Sequence, residues 1–552
     1  MSTALGPVRS GRRATTKRGV WVAAACLVYL LLTCYQLGLP GLHYDEAKEA
    51  GVNAMELLTG SPTTPFRNVA LTLFGRRLPL MVQDYIGALN VYLVLPVLAL
   101  TGVGVPNLRI VAVLIGLVAL ILMAYMVSAW QNWTFGASDQ ALGERLTWGG
   151  VLAAWLMAAS PSFIFWSRQG IFVTNLMQPL CFLAIWQGTR WLVTGERRSL
   201  LWMMFAAGLA LYAKLMALWV IGPWLLIMAV LWWLARQRGE APRLGLTTLL
   251  WASVAFVLPL LPLLWFNVQT GGTFTALWGN AAQSYYGVDN LALWDNAGVR
   301  LEQLIQSLRG DHFWYLGGLY GNPVAPWFAL VGITAGLAAN WQRMVVPLLL
   351  LLLALMASCF TISNLFITHY ALILPIILAV VALGLGLAWE RWAAARWWLG
   401  LLVAAWVLLD VRASLLYHQA LARSGGLADH SDASYHLAYH LRYNGLGAPV
   451  ALDWGLDAPI RYLSVNTVRP IEIFGYGSPA APDENFTLRL LPFLDNPDNV
   501  YLLHAPGQTA FAGRREVFLA TVAKEGKTAM LEQAFAQRDG TPLYELWRVK
   551  GE

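Results

Sequence analysis

Residues 19–50 read GVWVAAACLVYLLLTCYQLGLPGLHYDEAKEA, and the fold follows from them. No charge interrupts Gly19 to Leu37, a run matching the roughly 20 residues that a helix needs to cross a bilayer. Arg9, Arg12, Arg13, Lys17 and Arg18 precede it. The run exceeds a signal-peptide core and no small-residue cleavage site precedes His43, so it reads as an uncleaved first helix with its basic tail, residues 1–18, in the cytoplasm. A few residues beyond that helix stand Asp45 and Glu46.

Similar apolar runs recur as far as Val411. The 552 residues are 58% hydrophobic and 12% charged, about half the charge of a soluble chain. Spans are expected near 19–38, 85–104, 109–129, 148–166, 171–193, 200–214, 216–235, 245–267, 324–340, 344–362, 367–389 and 396–411. The reading is an α-helical polytopic membrane domain of about 11–13 helices over 19–411, followed by a soluble α/β domain over 412–552. The net charge of +7 does not indicate nucleic acid, because most Lys and Arg fall in short connectors. Glu196-Arg197-Arg198, Arg236 to Arg243, Gln342-Arg343 and Arg391 to Arg396 alternate with connectors poor in cations and belong in the cytoplasm. One conflict results: the expected spans between Asp45 and Gly195 are even in number, whereas a cytoplasmic Arg197 needs an odd number.

Two long extracytoplasmic loops are expected, 39–84 and 269–323. In the first, Ala47, Ala50, Ala54, Leu57 and Leu58 fall near helical spacing behind the acidic pair, which predicts an interfacial helix. The second carries Ser284-Tyr285-Tyr286 and Asp311-His312-Phe313-Trp314-Tyr315 and is long enough to cover a site. The tail alternates a helix at 432–443, a strand at 449–453, a helix near 458–464 and strands at 500–503 and 543–549, a layered pattern. The four cysteines lie in apolar blocks without metal-ligand or pairing spacing.

A carboxylate at position 45 suits general-base work on an acceptor hydroxyl; it equally suits a helix N-terminus, where acids complement the dipole. Lys214, between two apolar runs, needs a reason, since an ammonium at bilayer depth costs about 2.5–3.5 kcal/mol on the lenient scale. Snorkelling to the interface is one reason; pairing with a lipid-linked phosphate is another. Arg109 and Arg168 at span junctions and Arg76-Arg77 on the acidic loop read either as anchors or as members of a cationic patch facing the acidic pair.

In order and placement, these residues resemble the GT-C superfamily of polyprenyl-phosphate-sugar-dependent glycosyltransferases. The branch is that of the dolichyl-phosphate-mannose protein mannosyltransferases and the lipid A aminoarabinose transferases. The matching features are Asp45-Glu46 after the first span, Arg76-Arg77-Leu78-Pro79-Leu80-Met81 with Tyr85-Ile86-Gly87-Ala88, and Arg109. Further along come Ser160-Pro161, Ser167-Arg168, Tyr212-Ala213-Lys214, and His369-Tyr370 before Leu374-Pro375. The resemblance implies that Asp45 is the catalytic base and that Glu46 orients base or acceptor. It also implies that Arg109 and Lys214, with Arg77, Arg168 and His369 behind them, hold the donor phosphate. Tyr44, Tyr85, Tyr370, Asp311 and His312 are candidate substrate contacts. The expected reaction is an inverting transfer from a polyprenyl-phosphate-linked sugar to a hydroxyl acceptor at the outer face of a bacterial cytoplasmic membrane, with no metal or other cofactor. A transporter or flippase of a lipid-linked or anionic substrate would also place charges at membrane depth, but repeated halves and broken midplane helices are not evident.

Overall fold

The structure is a computed structural model that describes residues 9–133, 145–169, 174–282, 288–360, 367–475 and 479–551. The Ser284-Tyr285-Tyr286 stretch, residues 361–366 before His369-Tyr370 and the start of the expected 171–193 span lie outside them.

The first long helix is α1 (Arg9–Cys34). A second, continuous one is built from α2 (Tyr44–Glu46), a π turn over Ala47–Gly51 and α3 (Val52–Thr59). A loop with two small antiparallel pairs follows, β1 (Ala70–Leu73) with β2 (Arg76–Pro79) and β3 (Met81–Gln83) with β4 (Ile86–Gly87). Then come α4 (Leu89–Thr101), α5 (Val105–Asn132), α6 (Trp148–Ala159), α7 (Pro161–Gln169), α8 (Thr174–Thr194), α9 (Arg197–Ala213) and α10 (Leu218–Gln237). The remaining helices of the bundle are α11 (Leu246–Val257), α12 (Leu261–Thr270), α13 (Gly272–Gly279), α14 (Leu293–Arg309), α15 (Ala325–Ser358), α16 (Leu374–Arg391) and α17 (Arg396–Ser424). Among the described residues seven helices are long and apolar enough to cross a membrane, or eight if α6 and α7, bent by 65° at Ser160-Pro161, count as one. Proline at that position removes a ladder hydrogen bond and crowds the preceding turn, which accounts for the bend.

Side-chain contacts sort the helix ends into two sets. At one end Arg18 donates to the Leu146 carbonyl and lies over Trp148, which packs on Trp389, while Arg343 donates to the Gln131 carbonyl. A groove lined by Asn132, Trp133, Arg190 and Thr194 lies at this end, and Gly195 meets Pro242 there. All four basic connectors therefore gather with Arg18. At the other end are Asp45, Arg109, Lys214 and the C-terminal domain.

Helix α15 illustrates how the ends sort. Asn322, just before it, bonds the Arg309 carbonyl, while Ser358 and Cys359 at its far end accept from Arg300 and Asn296. A straight helix of its 34 residues would be about 51 Å long, too long for both ends to touch α14. It turns back at Asn340, whose backbone leaves the helical region (φ −161°, ψ 84°), as the sequence predicted with separate spans at 324–340 and 344–362.

The expected span at 85–104 is corrected. Helix α4 has 13 residues, about 20 Å, and the hydrocarbon core is about 30 Å thick. Its two ends lie at the same end of the bundle: the preceding strand pairs Ile86 with Lys214, and Gly104 after it accepts from Tyr462 of the C-terminal domain. It lies along the Asp45 helix without crossing. Three passages then separate Asp45 from Gly195 (α5, the α6–α7 pair and α8), and the parity conflict disappears.

The last helix runs to Ser424, past residue 411. Beyond it α18 (Ala433–Tyr443), β5 (Val450–Ala451), α19 (Asp457–Leu463), β6 (Ile471–Glu472), α20 (Phe486–Leu494), β7 (Val500–His504), α21 (Arg514–Lys524), β8 (Lys527–Ala536) and β9 (Pro542–Gly551) form the soluble domain. The sheet order is β6-β5-β7-β9-β8, with β5 parallel to both neighbours. Strand alternation sends Val450, Leu452, Tyr501 and Leu503 to the face covered by α20 and α21. The same alternation sends Ala451, Val500 and Leu502 into a core continuous with the membrane domain. The two domains share one hydrophobic interior.

Candidate active site

The 44–59 helix is the hub. Glu46, Glu49, Asn53 and Glu56 recur at spacings of three and four, so they form one stripe on a helix, and all four are buried. Each acid meets a cation from a different part of the chain. Glu46 is held by Arg109 of α5 through Nε (2.7 Å) and Nη2 (2.9 Å), both side chains 1% exposed. Glu49 is the strongest negative charge acting on Lys214, followed by Asp45. Glu56 accepts from the Thr64 backbone and from Arg461 of the soluble domain. Asp45 stands off this stripe with its side chain 27% exposed. His43 caps its backbone N–H through Nδ1 at 3.2 Å, and the same nitrogen lies 4.0 Å from the Asp45 carboxylate.

Lys214 owes its place to a break between α9 and α10. Its backbone is extended (φ −159°, ψ 130°) and pairs across to Ile86, and Leu215 donates to the Tyr85 carbonyl. Gly87 makes that approach possible, since a Cβ there would sit 2.4 Å from the Tyr212 carbonyl oxygen. The ammonium is thus carried, almost fully buried, to the level of Asp45.

The soluble domain closes over the same helix. Tyr435 donates to the Gly38 carbonyl at 2.8 Å, and the Tyr462 ring packs so tightly on Gly51 that a Cβ there would meet it at 2.8 Å. His430 stacks between His43 (4.5 Å) and Tyr315 (3.9 Å). Trp454 reaches Tyr44, 5.0 Å between ring centroids, and His43 at 6.2 Å. Asp457 is buried enough to raise its pKa, against the charges of Arg461 and then Lys48; Lys48 in turn bonds the Tyr44 hydroxyl at 2.7 Å.

Several expected ligands have other employment. Arg109 directs all five N–H donors at protein acceptors: Glu46 twice, and the Leu37, Pro40 and Gly41 carbonyls. It has no donor left for a phosphate and acts as a clamp holding the Asp45 segment to the end of α1. Glu46 is accordingly tied into that clamp by both carboxylate oxygens. Arg168, wholly buried, bonds His418 and the Tyr35, Gln36 and Leu39 carbonyls, a second clamp on α1. Arg77 is engaged by Asn68 (2.6 Å and 2.8 Å). Tyr370 is buried and donates to the Arg300 carbonyl, so its role is packing. His369 sits 6.5 Å from Trp219, at the Lys214 end of the bundle. Asp311 and His312 are not brought to Asp45; His312 packs on Trp166 at 5.1 Å, and burial pushes its pKa down to about 3. Tyr44 and Tyr85 do flank the Asp45 and Lys214 positions. Among the described residues no group of three or more His, Cys, Asp or Glu side chains is arranged to hold a metal ion.

The sequence reading missed Glu49 and Glu56 as members of the site; Asp453-Trp454-Gly455 and Asp457 read in the sequence as a strand-end turn, with a site for an acceptor glycan as the other reading. The signal for the first two was present in the spacing of Glu46, Glu49, Asn53 and Glu56, a polar stripe beside the apolar one.

No protein-family model matches the sequence, and no curated protein does. Solved structures do match. ArnT from Cupriavidus metallidurans bound to undecaprenyl phosphate superposes with a TM-score of 0.59 at 12% identity, over 97% of this chain and 98% of that one. Its apo state gives 0.57 over the same shares. The apo oligosaccharyltransferase of Archaeoglobus fulgidus gives 0.49 at 12% identity, over 88% of this chain and 69% of that one. The chain shares the ArnT-like GT-C fold, and its long apolar helices make it a multi-pass membrane protein.

Proposed function

We propose that the chain is an inverting glycosyltransferase that moves a sugar from a polyprenyl-phosphate donor to a hydroxyl acceptor, with Asp45 as general base and Lys214 as the principal contact of the donor phosphate. One observation carries the reading: a partly open carboxylate and a buried ammonium share one end of the bundle, under a docked soluble domain. The acceptor hydroxyl gives its proton to Asp45 and its oxygen attacks the anomeric carbon. The bond from that carbon to the phosphate oxygen breaks with its electron pair, and the leaving polyprenyl phosphate gains a charge that a fixed cation stabilises. The undecaprenyl phosphate bound to the fold-sharing ArnT supports a lipid-linked donor. The basic connectors gathered opposite Asp45 support an extracytoplasmic reaction by the positive-inside bias, in a bacterial cytoplasmic membrane. Tyr44 and Tyr85 are the remaining substrate-contact candidates beside the base. His369 is a further phosphate candidate.

The test is release of polyprenyl phosphate from a panel of polyprenyl-phosphate sugars by the purified, reconstituted protein. Asp45→Asn is expected to lower turnover by about 100-fold or more with unchanged thermal stability. Undiminished turnover in that variant would reject the base, and movement of intact sugar-lipid across vesicles without bond cleavage would replace the enzyme reading with transport.

A further inference from the structure

The soluble domain meets the Asp45 helix with the edge of its sheet where β5, β6 and β7, mutually parallel, end. In open α/β sheets, ligands bind outside the carboxyl ends of such strands. Here those ends carry Asp453-Trp454 after β5, Phe474 after β6 and His504 at the end of β7. Asp453 accepts from its own neighbour's backbone N–H (Trp454, 2.8 Å) and from Thr509 (2.8 Å), and lies 3.1 Å from His504. Gly455 then turns the chain in the left-handed region (φ 85°), which glycine enters without strain. The turn presenting Trp454 is therefore rigid. Behind the indole stand Tyr44 on one side and Phe511 on the other, both buried, with Phe474 completing the row. Trp454 itself is half-buried; so are Lys48, which bonds the Tyr44 hydroxyl and lies 4.8 Å over that ring, and Asp457, on which the Lys48 charge acts.

We infer that Trp454 is the platform of the acceptor subsite and that the acceptor is a carbohydrate. The inference rests on Asp45 being the base. A pyranose has an apolar face of C–H groups and a rim of hydroxyls. A fixed pair of aromatic rings, Trp454 and Tyr44, with a cation on the second and a carboxylate near that cation, matches both halves, as small-molecule sites combine aromatic walls with a few placed polar groups. The placement also fits an inverting displacement, in which the nucleophile enters on the face of the anomeric carbon opposite the one from which the leaving group departs. Lys214 comes to Asp45 from the membrane helices, and Trp454 comes from the soluble domain. The row of buried rings restricts the indole to one orientation, so little conformational entropy is lost when a sugar settles on it.

Saturation-transfer NMR on the full-length protein in nanodiscs, with maltotriose, chitotriose and methyl mannoside as probes, reads the subsite without turnover. At least one probe is expected to take up saturation on its ring protons with wild type, Asp45→Asn and Trp454→Phe, and to lose it with Trp454→Ala. In turnover with a polyprenyl-phosphate sugar, Trp454→Ala should raise the glycan KM about tenfold, the size of one good stacking contact. An unchanged far-ultraviolet circular dichroism spectrum and thermal unfolding transition show that the Trp454→Ala variant is folded. No saturation of any probe by wild type, saturation indifferent to Trp454→Ala, or efficient transfer to a polypeptide or lipid hydroxyl unaffected by that change would overturn the inference. Glycan binding by a protein that never cleaves donor would instead sink Asp45 as base while leaving the platform standing.

Discussion

Replacing Glu46 by Gln keeps its shape and removes the one charge that balances Arg109 in a dry interior. Removing one partner of a buried ion pair costs about 3–5 kcal/mol, because the guanidinium stays charged without its counter-ion. Glu46→Gln is therefore expected to lower the thermal midpoint sharply, and Glu46→Gln with Arg109→Met to recover much of the loss, since apolar groups of similar volume tolerate the site. Asp45→Asn should leave the midpoint where it is. Equal melting of Glu46→Gln and wild type would remove Arg109 from its clamp role. Lys214→Met tests the other half of the site, and the expected result is a donor KM raised about tenfold or more, the worth of one charge-assisted contact. That one of the two adjacent acids is partly open and the other buried against Arg109 could not be read from the sequence, because burial and partner are properties of the fold.

At the scale of elements, the short helix α4 makes a topological prediction. Single cysteines at Asn90 and Thr101, placed in a cysteine-free background, should react with an impermeant maleimide from the same face of sealed vesicles as a cysteine in the soluble domain. Cysteines at Arg197 and Arg238 should react from the other face, and labelling of positions 90 and 101 from opposite faces would restore the crossing. Gly41 offers a second check: a Cβ there would lie 2.0 Å from the Ser431 carbonyl oxygen, a backbone atom that cannot swing aside. Gly41→Ala should loosen the docked domain and open the 426–432 loop to protease. Gly298→Ala in α14, where nothing lies within 4 Å, should be neutral or raise stability by up to about 1 kcal/mol. Most long helices were legible from apolar length and basic connectors, and the tail strands from alternation. Helix α4 was misread because a 13-residue apolar stretch flanked by Ala88 and Gly102 carries no mark of lying flat. The acidic stripe was overlooked because its partners Arg109, Lys214 and Arg461 are distant in sequence.

The molecule as a whole is held together at the junction of its two domains, and part of that junction titrates. His504 lies 3.1 Å from Asp453 and 3.7 Å from Asp429, with the Tyr544 ring packed beside it. Burial, the largest single influence, opposes its charge, but the hydrogen bond and charge of Asp453, with Asp429, outweigh it and raise its pKa above 6.5. Asp453 is likewise pushed up by burial and drawn further down by His504, Thr509 and the Trp454 backbone, ending below 3.8. The raised histidine contributes stability fully below its unfolded pKa and loses it as pH rises through the folded value. The depressed aspartate contributes above its unfolded pKa and loses it as pH falls through the folded value. The thermal midpoint should therefore be highest in mildly acidic to neutral buffer and fall on the alkaline side, and His504→Gln should flatten that alkaline decline; parallel profiles for the two proteins would refute the linkage. The docking of the last segment onto the first loop has a bearing on synthesis. While a ribosome is still making the residues after Ser424, the wall that carries Trp454 does not yet exist. On the proposed reading, a half-made chain meets a donor with only water to offer it, so the order of translation sets the moment at which transfer can replace waste.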